Sequence, residues 1–195
     1  MRRFLLLACA SLVSAGCAET IQAPPDPQTQ MIALAGRIEI LVQEERLKLD
    51  PGAKTLVLDP ELTKIALARA RDMAEKNYLA HAAPNGDTSA SLLMADDATW
   101  QGLLGENLAA QHYLKVSGVD VGVFAQRFLD EWIKSDPHRE NLSYPAYDRT
   151  GVGAAVNGDT VYVAELFASD LGLKPKPADE AQPPVPPRGS EAGQP

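Results

Sequence analysis

The chain has 195 residues, 45% of them hydrophobic and 6% aromatic, and carries a formal net charge of −8. That balance suits one globular domain and excludes a nucleic-acid binder, whose target phosphates demand clustered Lys and Arg. Acidity also disfavours tight contact with anionic headgroups, while leaving an acyl ligand open.

At the N-terminus, Arg2 and Arg3 precede an apolar run from Phe4 to Val13, and Ser14-Ala15-Gly16 supplies the small side chains that a signal peptidase requires. The run is too short to span a bilayer as a stable helix. Residues 1–16 are read as a signal peptide. Cys17 is read as the lipidated cysteine of a bacterial lipoprotein, with Ser14 standing where Leu or Val is usual. Ala18 is not the Asp that retains such proteins in the inner membrane, so the expected place is the outer membrane, on its periplasmic side, with release as a soluble secreted protein as the alternative. Cys9 falls in the removed segment, which leaves Cys17 alone and no intramolecular disulfide. Residues 17–28, with Ala23-Pro24-Pro25-Asp26-Pro27, form a stiff tether.

The folded domain is assigned to residues 29–173. Met31, Leu34, Ile38, Leu41 and Val42 define one face of a first helix ending near Arg46. Leu56-Val57-Leu58 is extended, and Asp59-Pro60 opens a second helix with a capping carboxylate and a proline where no amide donor is needed. Leu62, Ala66, Ala70 and Met73 form its buried stripe. A third helix runs from Val121 to Lys134 on Phe124, Phe128 and Trp132. Thr150 to Val156 and Thr160 to Phe167 alternate as strands, joined at Asn157-Gly158 by an expected type I′ turn. Helices first and a hairpin last give an α+β class. Residues 174–195 hold seven of the fifteen prolines and no apolar periodicity, and are read as a disordered tail.

Three segments carry the candidate chemistry. His81 lies in the loop after the second helix; Glu106 follows Gly105 and reads as an acid at the start of a helix over Asn107-Leu108-Ala109; His138 follows Asp136-Pro137, where Pro137 ends or redirects the third helix. Singly, each is an ordinary surface residue. His112 fits no pattern and reads as exposed, and Tyr78 and Tyr147 are cleft-lining or core residues.

Taken in order, Asp72-Met73-Ala74, Asn77-Tyr78-Leu79-Ala80-His81, Gly105-Glu106-Asn107-Leu108-Ala109, His138-Arg139-Glu140-Asn141-Leu142 and Gly151-Val152-Gly153 resemble the bacterial branch of the CAP (SCP-like) superfamily over about residues 33–168. The resemblance implies a secreted or envelope protein with a three-layer α-β-α sandwich and a small antiparallel sheet. It implies a cleft in which His81, Glu106 and His138 match three of four positions, with Ser135 at the fourth, where an acid is usual. That departure weakens two-carboxylate acid–base chemistry. Arg139 is expected to pair with a carboxylate, and Asn107 and Asn141 to hold backbone.

Two imidazoles and a carboxylate are a minimal kit for a divalent metal such as Zn²⁺, with water in the fourth place. The favoured function is a binding module: a monomeric domain anchored through Cys17 whose cleft takes a metal ion or a lipid, peptide or glycan of the envelope. The alternative is a metal-assisted hydrolase of peptide or envelope polymer using His81, His138 and Glu106. Against it, the chain has no HExxH helix, GxSxG elbow or cysteine nucleophile, and no orienting acid or oxyanion hole is legible beside Ser135.

Overall fold

The computed structural model describes residues 23–170; the segment expected to be a signal peptide, Cys17 with its expected lipidation, and the tail expected to be disordered lie outside the described residues. Helix α1 (Pro27–Leu49) starts where the Asp26 carboxylate accepts the Gln28 amide at 3.0 Å, so it takes in the last two residues of the expected tether and runs past Arg46 by three. Strand β1 (Val57–Leu58) is short. Helix α2 (Pro60–Lys76) is capped by Asp59, whose Oδ1 accepts from Glu61 and Leu62 at 2.8 and 3.1 Å. Helix α3 (Ser89–Asp96), opened by a Thr88–Ser91 capping box, was not expected from the sequence because its eight residues carry too little periodicity.

The largest correction follows. Residues 107–109 do not begin a helix: Glu106 and Asn107 sit in the middle of strand β2 (Gly102–His112). Over its whole length β2 pairs antiparallel with the C-terminal strand, and that ladder overrides the local charge argument. Helix α4 (Val121–Lys134) ends where expected, and a separate helix α5 (Asp136–Ser143) follows, with Pro137 in its first turn. Strands β3 (Arg149–Asn157) and β4 (Thr160–Asp170) form the hairpin. Its two loop residues are Gly158 and Asp159, and of these only Gly158 has positive φ, at 64°. That is the II′ pattern rather than I′.

The sheet order is β1-β3-β4-β2, and it is mixed: β1 joins β3 in parallel at Val57↔Arg149 and Leu58↔Thr150, whereas the other pairs are antiparallel. One face is covered by α1 and α4 over Leu34, Ile38, Phe128, Trp132 and Phe167; the other by α2 and α3 over Ile65, Met73, Leu93 and Leu166. The result is an α-β-α sandwich. Gly151 and Gly153 let α2 lie directly on β3, since a Cβ at either would stand 2.2 Å from an α2 backbone nitrogen. Arg46, fully buried, ties α1 to the last turn of α5 through the Leu142 carbonyl and to the segment before β3 through the carbonyls of Tyr144 and Tyr147.

Candidate functional site

Helix α2 ends at Asn77, which adopts the left-handed conformation at φ 54° and turns the chain toward β2. Arg69, buried on the α2 stripe, then fixes the loop. Its Nη2 donates to the carbonyls of Ala80 and His81 at 2.7 and 3.0 Å, and its Nη1 donates to the Tyr78 hydroxyl at 2.9 Å. Tyr78 in turn donates to Asp72 at 2.5 Å. The backbone around His81 is therefore held although its ring is 64% exposed.

Glu106 projects from β2 on the face shared with Leu104 and Leu108, toward α2 and α3. Its Oε2 lies 2.8 Å from His81 Nδ1, its Oε1 accepts the buried Ser89 hydroxyl at 2.7 Å, and Arg69 Nε stands 3.6 Å away. A carboxylate so held fixes the His81 ring and leaves its Nε2 edge for a ligand. The opposite face of β2 serves α5. Asn107 donates to the His138 carbonyl at 3.1 Å, and Asn141 donates to Asn107 Oδ1 at 2.9 Å and to the Glu106 carbonyl at 3.2 Å. His81 and His138 thus reach β2 from opposite helical layers, His81 through the Glu106 side chain and His138 through its backbone carbonyl.

His138 is half-buried in the first turn of α5, and its Nδ1 is buried with no hydrogen-bond partner. Desolvation holds its pKa below the ordinary histidine value; the nearby His81 charge adds to this, and Glu131 opposes it. The neutral imidazole, the form that ligates, is favoured.

Ser135 caps the junction of α4 and α5 through its backbone, but among the described residues its hydroxyl bonds to neither imidazole nor to Glu106. Asp136 turns to Arg139 at 2.6 Å instead of leaning into the cleft, and Arg139 also donates to the Ile133 carbonyl. Tyr147 is a core residue stacked on Phe167 with centroids 5.7 Å apart. His112 is exposed at the far end of β2, beside Thr160 and Asp159. Sequence reasoning missed Arg69 and Ser89. Arg69 had a signal, because it falls on the buried stripe between Ala66 and Met73; Ser89 had none beyond a helix start.

The expected three-ligand metal set does not form. Among the described residues no three His, Cys, Asp or Glu side chains are grouped to hold an ion. Glu106 bonds His81 Nδ1 through one oxygen and the Ser89 hydroxyl through the other, and so stands behind His81 rather than beside it.

Residues 50–169 match the CAP, cysteine-rich secretory protein family. An uncharacterized Bacillus subtilis protein, YkwD, is 26% identical over 141 residues, covering 72% of this chain; the chain spans 50% of that relative's length. Among solved structures, an extracellular protein containing an SCP domain from Bacillus anthracis aligns with TM-score 0.58 and 26% identity over 76% of this chain and 45% of that one. An outer surface protein of Borrelia burgdorferi shares the fold, with TM-score 0.58 and 22% identity over 71% of this chain and 93% of its own. With the family match spanning most of the folded region, the chain belongs to the CAP, or cysteine-rich secretory protein, family.

Proposed function

We propose that this chain is an exported cell-envelope domain, anchored through Cys17, whose cleft at the β2 edge binds a ligand through His81 and His138. The relatives described as extracellular or as outer surface proteins support the location, as does the signal-like N-terminus. The observation that carries the binding reading is the His81–Glu106 contact at 2.8 Å. A half-buried carboxylate, itself held by Ser89 and Arg69, orients an imidazole that is mostly exposed. The contact with Glu106 offsets the side-chain entropy lost in orienting an exposed ring and leaves the Nε2 edge preorganised for a ligand.

A divalent ion in this cleft is held by the two imidazoles, with Glu106 raising the basicity of His81. A metal-assisted hydrolase needs in addition a base free to take a proton from water, whereas Glu106 is committed to His81 and Ser89, and a serine hydrolase needs a hydroxyl placed against a base. Ser89 donates its proton to Glu106, and Ser135 is not hydrogen-bonded to either histidine. Binding is therefore favoured over catalysis.

Calorimetric titration with Zn²⁺ tests the reading. Wild type is expected to bind one ion weakly, His81→Ala and His138→Ala to lose it, and Glu106→Gln to weaken it about 10–100-fold, as for partners of metal-bound histidines. Unchanged affinity in Glu106→Gln together with loss in both alanine variants would mean that the carboxylate plays no part. Affinity that survives both alanine variants would place the ion elsewhere.

A further inference from the structure

The two edges of the sheet are finished differently. In an antiparallel ladder alternate residues turn their N–H and C=O outward. Along β2 the outward carbonyls of Glu106 and Leu108 are taken by Asn141 and by the Trp132 indole, at 3.2 and 3.3 Å. Along β3 the register with β4 turns Thr150, Val152, Ala154 and Val156 outward. The Thr150 carbonyl accepts from Asp59 N at 2.8 Å and the Val156 carbonyl from Gln28 Nε2 at 3.0 Å. The Val152 N–H lies against the Glu39 carboxylate. Between them, no hydrogen bond from the described residues reaches either polar group of Ala154.

This stretch of edge is the floor of a groove of about 840 Å³ walled by α1 and α2. Its walls are mainly apolar, with Ile32 89% exposed at the rim. Gly36 forms part of the α1 wall in mid-helix, where glycine weakens a helix. Packing does not require it, because a Cβ there would meet nothing within 4 Å. A side chain at that position would instead fill the groove.

We infer that the β3 edge is a strand-addition site that takes an extended peptide segment carrying a basic residue between α1 and α2. Strand addition supplies the N–H and C=O that Ala154 lacks, and the apolar walls receive alternate side chains. The charge preference comes from Glu39 and Glu75, which line opposite walls and outnumber Arg71. Among the described residues Glu39 has the Val152 N–H beside it but no ion pair, so a Lys or Arg on the added strand meets a carboxylate with no cation opposite it. The chain's own residues 174–195 suit the groove poorly, since their seven prolines lack the N–H donors that strand addition needs.

A display library of random octapeptides panned on the purified protein is the test. Recovered peptides are expected to alternate apolar residues around a Lys or Arg, and to slow hydrogen exchange of the Ala154 amide at least tenfold. N-methylation of alternate residues, and Gly36→Phe in the protein, should each abolish binding, and Glu39→Gln should remove the preference for a basic residue. Gly36→Phe adds helix propensity and meets open space, so circular dichroism should show it folded. Failure to enrich any peptide sensitive to Gly36→Phe overturns the proposal. So does tight binding of N-methylated peptides. Oleate vesicles are the control: occupancy by oleate that is lost in Gly36→Phe while peptides leave Ala154 exchange unchanged would make the groove an acyl site instead.

Discussion

His138 shows how position, rather than residue type, sets chemistry. Its ring is charged less readily than a free histidine because burial removes water from it and because His81 adds a repulsive charge. The two causes are separable. His81→Ala removes the second and leaves the first, so the His138 pKa should rise yet stay below the ordinary value near 6.5. Proton NMR titration of the ring protons measures this directly in a chain with three histidines. No movement of His138 in His81→Ala would show that the two rings do not sense each other, and the shared cleft would lose its electrostatic support. Because the folded pKa lies below the unfolded one, His138 also opposes folding as pH falls below about 6.5, where the unfolded chain takes up the proton first.

At the level of elements, the site depends on two helices being seated on opposite faces of one strand, and Arg46 does much of the seating for α5. Its guanidinium donates to Lys54, Leu142, Tyr144 and Tyr147 carbonyls at 2.8 to 2.9 Å, with no exposed surface. Arg46→Lys keeps the charge but presents a point donor where a planar fork is needed. Leaving buried carbonyls unmade should destabilise the domain by about 3 kcal/mol or more, read as a lower urea midpoint with an unchanged slope. A loss below about 1 kcal/mol would mean that water replaces the fork. The same elements show what the sequence makes legible. Helices α1, α2 and α4 were readable because their apolar spacing repeats over many turns and Asp59 with Pro60 marks a start. Strand β2 was not, because Glu106 and Asn107 interrupt its alternation and its partner β4 lies some sixty residues away. The His81, Glu106 and His138 segments were legible as motifs. Their roles were not: that Glu106 stands behind His81, held by Ser89 and Arg69, depends on a strand, a loop and a helix meeting.

The whole molecule carries one conspicuous electrostatic liability, and it lies in the core rather than in the cleft. Glu165 of β4 is fully buried among Val163, Phe167 and the α1 layer; Thr150 Oγ1 donates to its Oε1 at 3.3 Å and its Oε2 has no partner. Burial pushes its pKa well above the usual carboxylate range, only partly offset by the Thr150 hydroxyl, and the Glu39 carboxylate pushes it further. Glu39 is itself raised, chiefly by burial. The sign follows from proton counting. An acid whose folded pKa is raised holds its proton in the native state while the unfolded chain releases it, so stability falls as pH climbs from about 4.5 toward the folded pKa. Glu165→Gln keeps the shape and an acceptor for Thr150 but has no proton to lose. Each pH unit of elevation corresponds to about 1.4 kcal/mol, and about 1 kcal/mol moves the Tm of a domain of this size by roughly 2–4 °C. The variant should therefore melt several degrees above wild type at pH 8, with the difference shrinking steadily toward pH 4.5. Calorimetric scans of the two proteins across that range decide the matter. A constant gap at every pH would assign the gain to packing, and a variant less stable at pH 8 would show that the ionised Glu165 is compensated in the fold.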